Sequence, residues 1–241
     1  DRSDAIDARR GWIMTSGRGI TLGDSHEPTL DGWWDVVATA AHLQQAVSRH
    51  RDEVLATGVT DCSPSTVPHR LEDLVERFAA LPLDHPTHLG EDERADLLAT
   101  LPRLVDACEQ IESSPMPVTI QHGDLHPWNV FATGEPGGRS LRVFDFGDVQ
   151  WAPAVEVLSV PYGVISEEGR LPWQPIRDAY VATWQDVVDA RSLHALWEAT
   201  AFTQPVNRAL TWWEGLADAT EEEWAEWGNA PLWHVRRVLD A

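Results

Sequence analysis

The chain contains no lysine, although it carries 18 arginines, so no residue in it can offer a side-chain amine. Cysteine is nearly absent too. Cys62 and Cys108 have no metal-ligand spacing, and two thiols make neither a disulfide framework nor a thiolate metal site; a reducing cytoplasm suits them. No apolar run is long enough to cross a bilayer, and no secretory signal opens a chain that starts at Asp1 rather than Met. Positive charge is scarce: 39 acidic side chains give a formal net charge of −21. Nucleic acids and anionic membranes are poor partners for such a surface, since both demand basic patches.

A chain of 241 residues can bury a good core, and one large lobe is expected. Most of it reads as helix. Trp33, Trp34, Val37, Ala40, Ala41 and Val47 step by threes and fours between Gly32 and about His50. Leu71, Leu74, Val75, Phe78 and Leu81 repeat the pattern until Pro82 stops it. Leu97, Leu101, Leu104, Cys108 and Ile111 continue it, with a kink or a helix restart predicted at Pro102. Thr57 to Pro68 and Leu83 to Gly90 read as loops. Later come one helix through Tyr180, Trp184, Val187 and Val188, another through Leu193, Leu196 and Trp197, and a last one starting at Pro231. No internal repeat or low-complexity block interrupts them. Trp212-Trp213-Glu214 and Glu221-Glu222-Glu223-Trp224 through Trp227 mix rings with carboxylates. They read first as helix packing with glutamates in water, and second as a surface for a sugar ring or a cation.

The chemistry is concentrated in two short segments, Gln121-His122-Gly123-Asp124-Leu125-His126-Pro127-Trp128-Asn129 and Phe144-Asp145-Phe146-Gly147-Asp148. Asp-x4-Asn followed by Asp-Phe-Gly describes a site for magnesium and a phosphoryl group. Between them, Val130-Phe131-Ala132 and Ser140 to Phe144 flank a Gly/Pro-rich segment, which reads as a β-hairpin. Antiparallel pairing would bring Asn129 and Asp145 together at one mouth, as oxygen coordination of Mg²⁺ requires. Val118 to Gln121 is a β-prone run that would deliver Asp124 on a tight loop, with Gly123 allowing unusual dihedrals and Pro127 fixing φ.

These segments resemble the aminoglycoside phosphotransferase and choline kinase-like family of small-molecule kinases, whose His-Gly-Asp replaces the His-Arg-Asp of most protein kinases. The resemblance implies an α+β fold like the protein kinase C-lobe, mostly helical with a small hairpin at the catalytic loop. It matches Asp124 to the catalytic base and Asn129 and Asp145 to the magnesium ligands, with ATP or GTP as donor. His122 matches a loop-supporting residue, and His122 and His126 read as hydrogen-bonding scaffold. Asp148 reads as a turn cap, with the outer metal shell as its alternative. Glu156 is the nearest candidate, at slightly short spacing, for an Asp that ties the loop to the lobe. The acceptor would be a small-molecule hydroxyl, and the acidic field favours an amine-bearing one such as an aminoglycoside.

Gly11-Trp12-Ile13-Met14, then Thr15-Ser16-Gly17-Arg18-Gly19 and Thr21-Leu22, resembles the last N-lobe strand and hinge of the family. That would set Met14, Thr15 and Ser16 against the nucleotide and divide the chain into residues 1–22 and a C-lobe, 23–241. The Gly-rich phosphate loop and the ATP-contacting lysine would then lie upstream. Two other classes compete. Asp124-Leu125-His126 resembles the opening of a metallophosphoesterase site, with His122 as a further ligand. Gly147-Asp148 and Gly228-Asn229 do not complete that pattern. A non-catalytic kinase-like module is the other rival, and the survival of all three core polar residues speaks against it. Protein kinase activity lacks support, because no activation segment ending in Ala-Pro-Glu follows Asp145. The chain by itself is expected to bind ATP poorly and to turn over little; a calorimetric dissociation constant for ATP in the micromolar range would contradict that.

Overall fold

The computed structural model describes residues 5–7, 12–14, 20–25, 29–133 and 140–241, with residues 5–7, 12–14 and 133 described as backbone. A short antiparallel pair, β1 (Ala5–Asp7) and β2 (Trp12–Met14), comes first. After α1 (Leu22–Ser25), Thr29 accepts a hydrogen bond from the Gly32 amide and so starts α2 (Leu30–Val47). Next follow α3 (Arg51–Leu55), the two-residue strand β3 (Thr60–Asp61) and α4 (Val67–Ala79). A helix pair, α5 (Glu91–Ala99) and α6 (Leu101–Glu112), breaks at Thr100, with Pro102 in the first turn of α6. Proline fits there because its missing N–H would have no helical partner, so the sequence resolves as a restart rather than a kink.

The strands of the central region are β4 (Val118–Gln121), β5 (Val130–Thr133), β6 (Ser140–Val143) and β7 (Gln150–Pro153). Helices complete the chain: α7 (Ser159–Glu168), α8 (Trp173–Thr183), α9 (Ala190–Gly215), α10 (Glu221–Trp227) and α11 (Ala230–Arg236). A 3-10 turn, Arg237–Asp240, follows α11. The expected helix through Val188 stops at Thr183. Asp189 then accepts from the amides of Arg191 and Ser192 and starts α9 independently. The expected loop from Thr57 to Pro68 contains β3, which pairs in parallel with β7, while β4 pairs with β7 from the other side in antiparallel register.

Two apolar clusters flank this small sheet. One gathers Trp33, Val36, Val37, Tyr180, Trp184 and Leu196 around α2, α8 and the start of α9. The other gathers Leu71, Leu74, Phe78, Leu104, Val206 and Val235 around α4, α6, α11 and the later half of α9. Trp213 joins the second through Phe78, 5.2 Å between ring centroids, and so serves packing. Buried polar groups stitch the layers. Gln44 of α2 donates from Nε2 to the carbonyls of Ile120 and Ala154, and Tyr180 Oη donates to its Oε1. Cys62 and Cys108 are both buried, and burial pushes each thiol up to about 12.

Glu156 sits in a 3-10 turn after β7 with no exposed surface. Its carboxylate accepts from Thr203 Oγ1 and from Asn207 Nδ2, both on α9. Arg70 donates to the Asn207 Oδ1 at 2.9 Å and lends its charge to the same cluster. The acid therefore binds the turn to α9. Burial raises its pKa to about 7, against the lowering effect of Thr203, Asn207 and Arg70. Between the free-acid range and pH 7 the folded state keeps a proton that the unfolded chain has released. The contribution to stability is thus full below the unfolded pKa and is lost as pH rises through 7. Glu156→Gln should flatten that loss, by about 3 kcal/mol at most across the window, when urea midpoints are compared from pH 5 to 8; parallel curves for the two proteins would contradict it.

Candidate functional site

β4 ends at Gln121, and the chain turns sharply at Gly123, whose φ of +83° is a left-handed conformation. A Cβ on Gly123 would fall on the carbonyl oxygen of Asp148. The loop thus lies directly on the second segment, which only a residue without a side chain allows. His122 spans the same joint: its Nε2 donates to the Phe144 carbonyl at 2.8 Å, and its Nδ1 accepts from the Asp124 amide at 3.3 Å. Burial lowers the His122 pKa, which favours the neutral ring that this pair of bonds requires. His122 is scaffold.

Pro127–Asn129 forms one 3-10 turn that leads directly into β5. β5 and β6 pair antiparallel from Val130–Val143 to Thr133–Ser140, and the Phe144 amide donates to the Asn129 carbonyl at 3.1 Å. Stacking of Phe131 on Phe144, at 4.4 Å, closes the hairpin base. Asn129 and Asp145 consequently emerge at the same end, as the pattern of apolar runs implies. Asp145 has a φ of 62°, the one left-handed residue besides glycine among those described. Such backbone is uncommon for a residue with a side chain, and Asp145 is exposed just past the end of β6.

Asp124 is the focus of the polar contacts. Asn129 Nδ2 donates to the Asp124 carbonyl at 2.9 Å and to its Oδ2 at 3.0 Å. His126 Nε2 also donates to Oδ2, at 3.2 Å. The His126 bond is the main reason the Asp124 pKa falls below the usual carboxylate range; burial opposes it, and the charges of His126 and Arg208 reinforce it. Asp124 is therefore held as an anion, with Oδ1 outside these bonds. Asn129 has its amide nitrogen committed to Asp124, so its carbonyl oxygen is the atom left to face a cation. That oxygen, with the Asp145 carboxylate at the same mouth, makes a hard-oxygen donor set of the type Mg²⁺ takes. Among the described residues no cluster of three His, Cys, Asp or Glu could hold a metal ion.

Asp148 departs from its expected role as a cap. Its Oδ2 pairs with the guanidinium of Arg208, which lies 60 residues on in α9. Arg208 also sits over the Trp212 ring, 5.5 Å from its centroid. No local pattern announces Arg208; its one signal is a lone cation in the run Pro205-Val206-Asn207-Arg208-Ala209-Leu210. Glu156 likewise departs from tying the catalytic loop: its carboxylate reaches α9, and only its backbone carbonyl meets Gln121. Met14 ends β2, whereas Thr15 and Ser16 lie outside the described residues. Of the acidic aromatic surface, Glu223 is used in the Thr220 capping box, and Trp224 packs against Trp213 at 6.2 Å. Trp212 stacks on Trp227 at 5.6 Å.

A family model described as "Phosphotransferase enzyme family" matches residues 6–192. The solved structure of a Plasmodium vivax ethanolamine kinase shares the fold, with a TM-score of 0.54 and 13% sequence identity over 92% of this chain. The chain spans 63% of that kinase's length. No protein of curated function matches it in sequence.

The Gly123 contact generates a direct test. Gly123→Ala should destabilise the chain by about 1–3 kcal/mol through its left-handed φ and the clash with Asp148. It should also loosen the 3-10 turn Phe146–Asp148, read as faster hydrogen exchange at 146–149. An unchanged urea midpoint would contradict the contact.

Proposed function

We propose, for a chain that belongs to the phosphotransferase enzyme family, that it carries the catalytic machinery of a small-molecule kinase. The reaction is transfer of the γ-phosphoryl group of ATP or GTP to a hydroxyl. The observation that carries this reading is the Asp124 anion, fixed on one oxygen by Asn129 and His126 and set beside the paired ends of the β5–β6 hairpin.

In the proposed step Asp124 Oδ1 accepts a hydrogen bond from the acceptor hydroxyl and orients its oxygen. A new O–P bond forms to the γ-phosphorus as the bond to the bridging oxygen breaks. The electron pair leaves with the nucleoside diphosphate, and the hydroxyl proton passes to Asp124 and then to solvent. Asn129 Oδ1 and Asp145 would hold Mg²⁺, which when bound neutralises the phosphate charge. His126 keeps Asp124 ionised and fixes its rotamer. His122 and Gly123 hold the loop on the second segment, so positioning supplies a large part of the rate gain.

An amine-bearing acceptor, an aminoglycoside or another amino sugar or amino alcohol, is the finer reading, supported by the charge of −21. That field raises the local concentration of cations and the encounter rate. Met14, Thr15 and Ser16 would contact the nucleotide base. A two-metal phosphoesterase is disfavoured by His126, whose Nε2 is bonded to Asp124 and whose Nδ1 is buried.

Asp124→Ala should lower acceptor-dependent nucleotide consumption by at least about a thousandfold while leaving the circular dichroism spectrum unchanged. The assay uses a preparation in which calorimetry has first shown nucleotide binding, with Mg²⁺ and a panel of aminoglycosides, amino sugars, choline and plain sugars. Substantial turnover by a folded variant would overturn the role of Asp124.

A further inference from the structure

A cavity of about 440 Å³ opens beside α9, walled by Ser159, Tyr162, Trp197, Ala201, Gln204 and Arg237 among others. Its volume falls in the range of small-molecule sites. On α9, Trp197, Ala201 and Gln204 follow at steps of four and three, so they share one helical face. Ser159 and Tyr162 come from the first turn of α7, and Arg237 from the turn after α11. Asp124, Asn129 and Asp145 take no part in this wall.

Two features of the α9 wall are unusual. Gln204 is 6% exposed, yet its carboxamide makes no hydrogen bond among the described residues. Buried side-chain amides are nearly always paired. Gln44 and Gln150 follow that rule, the amide nitrogen of each donating twice. Pro205, the next residue, has no N–H, so the Ala201 carbonyl lacks its usual helical partner. Gln204, Pro205 and Ala201 all line the same cavity. Each unmade bond costs stability, and a ligand that paired with both groups would recover it.

The chemistry of the wall narrows what it holds. Its charged side chains, Glu198, Arg237 and Asp240, are exposed. Arg237 and Asp240 belong to one turn, so neither sign has a wall to itself. Gln204 and Thr200, by contrast, are buried and neutral. An ion seated against them would lose its hydration with no opposite charge in exchange, so the inner part of the ligand is uncharged. A carboxamide sets one acceptor and one N–H donor side by side in a plane. Its full complement is a planar edge with a donor beside an acceptor, as the lactam of a nitrogen heterocycle provides. Tyr162 and Trp197, edge to face at 5.7 Å, give such a molecule apolar contact. Sugar hydroxyls could reach both ends of the amide too, but each brings a further polar site against these rings.

We propose that this cavity is a second binding site, separate from the candidate catalytic site, for an uncharged nitrogen heterocycle with a lactam edge, of nucleobase or nucleoside type. The Gln204 carboxamide donates to the lactam oxygen and accepts from the lactam N–H. The Ala201 carbonyl and the Ser159 hydroxyl serve polar groups outside that edge, and Tyr162 and Trp197 supply the apolar contact. Gln204 is accordingly the residue that sets specificity. No part of this assignment rests on the phosphotransfer reading.

Isothermal titration calorimetry of the full chain tests this with uridine, 3-methyluridine and glucose. Uridine presents the lactam edge, 3-methyluridine has lost its N–H, and glucose offers hydroxyls alone. Uridine should bind with a dissociation constant of about 0.1–1 mM, at least about tenfold tighter than either of the others. Gln204→Leu should weaken uridine at least about tenfold, yet leave the urea midpoint equal or higher, because an unpaired amide has gone from the unliganded protein. A glutamine that served packing alone would give the reverse, a lower midpoint with unchanged binding. Asp124→Ala should bind uridine as the parent chain does. Absence of uridine binding, equal affinity for 3-methyluridine or glucose, a Gln204→Leu variant that keeps its affinity or loses stability, or loss of binding in Asp124→Ala would each overturn the proposal. None of these outcomes depends on turnover, so the kinase function is tested apart from them.

Discussion

Close approach of two backbones, Gly123 on Asp148, is the constraint from which the rest of the site follows. Either segment alone is a short irregular loop that could settle in many ways. Pressed together, each limits the other. His122 then reaches the Phe144 carbonyl, and the Asp124 amide reaches His122. Asp145 is kept in a left-handed conformation that would otherwise relax. Such strain persists only where surrounding contacts over-determine it, and here a hairpin base, a buried ring and a glycine contact do so.

α9 is the second organising element. It runs for 26 residues and packs against both apolar clusters, so its rotation about its axis is set by the core. Two consecutive residues then carry different messages. Asn207 points inward to Glu156, while Arg208 points to Asp148. The buried acid fixes the helix against the turn after β7, and the helix in turn fixes the cation against the catalytic segment. A buried carboxylate adds little net stability, but one that is fully hydrogen-bonded specifies a single register.

The hairpin and most helices were legible because their signal is local. Apolar residues at spacings of three and four define the face of α4 and of α6, and a Gly/Pro-rich break between two β-prone runs defines β5 and β6. β7 was not legible: all four of its residues are buried, so it shows no alternation, and its parallel partner β3 is two residues long. The stop at Thr183 was missed because Trp184, Val187 and Val188 keep a helical spacing while folding into turns. Within the site, Asp124, Asn129 and Asp145 could be placed from spacing. Arg208 and the true partner of Glu156 could not, since both depend on pairing across some 50 to 60 residues of chain.

The buried thiol of Cys62 has a consequence of another kind. Its amide extends the parallel pairing of β3 with β7, donating to the Trp151 carbonyl at 2.7 Å, and its sulfur is sealed beneath that junction with its proton held tightly. An alkylating reagent therefore finds no nucleophile while the strands are joined. Once they part, the thiol becomes ordinary and reacts as any exposed cysteine does. The rate of that reaction is a stopwatch on the breathing of the small sheet, started and stopped by two residues of backbone.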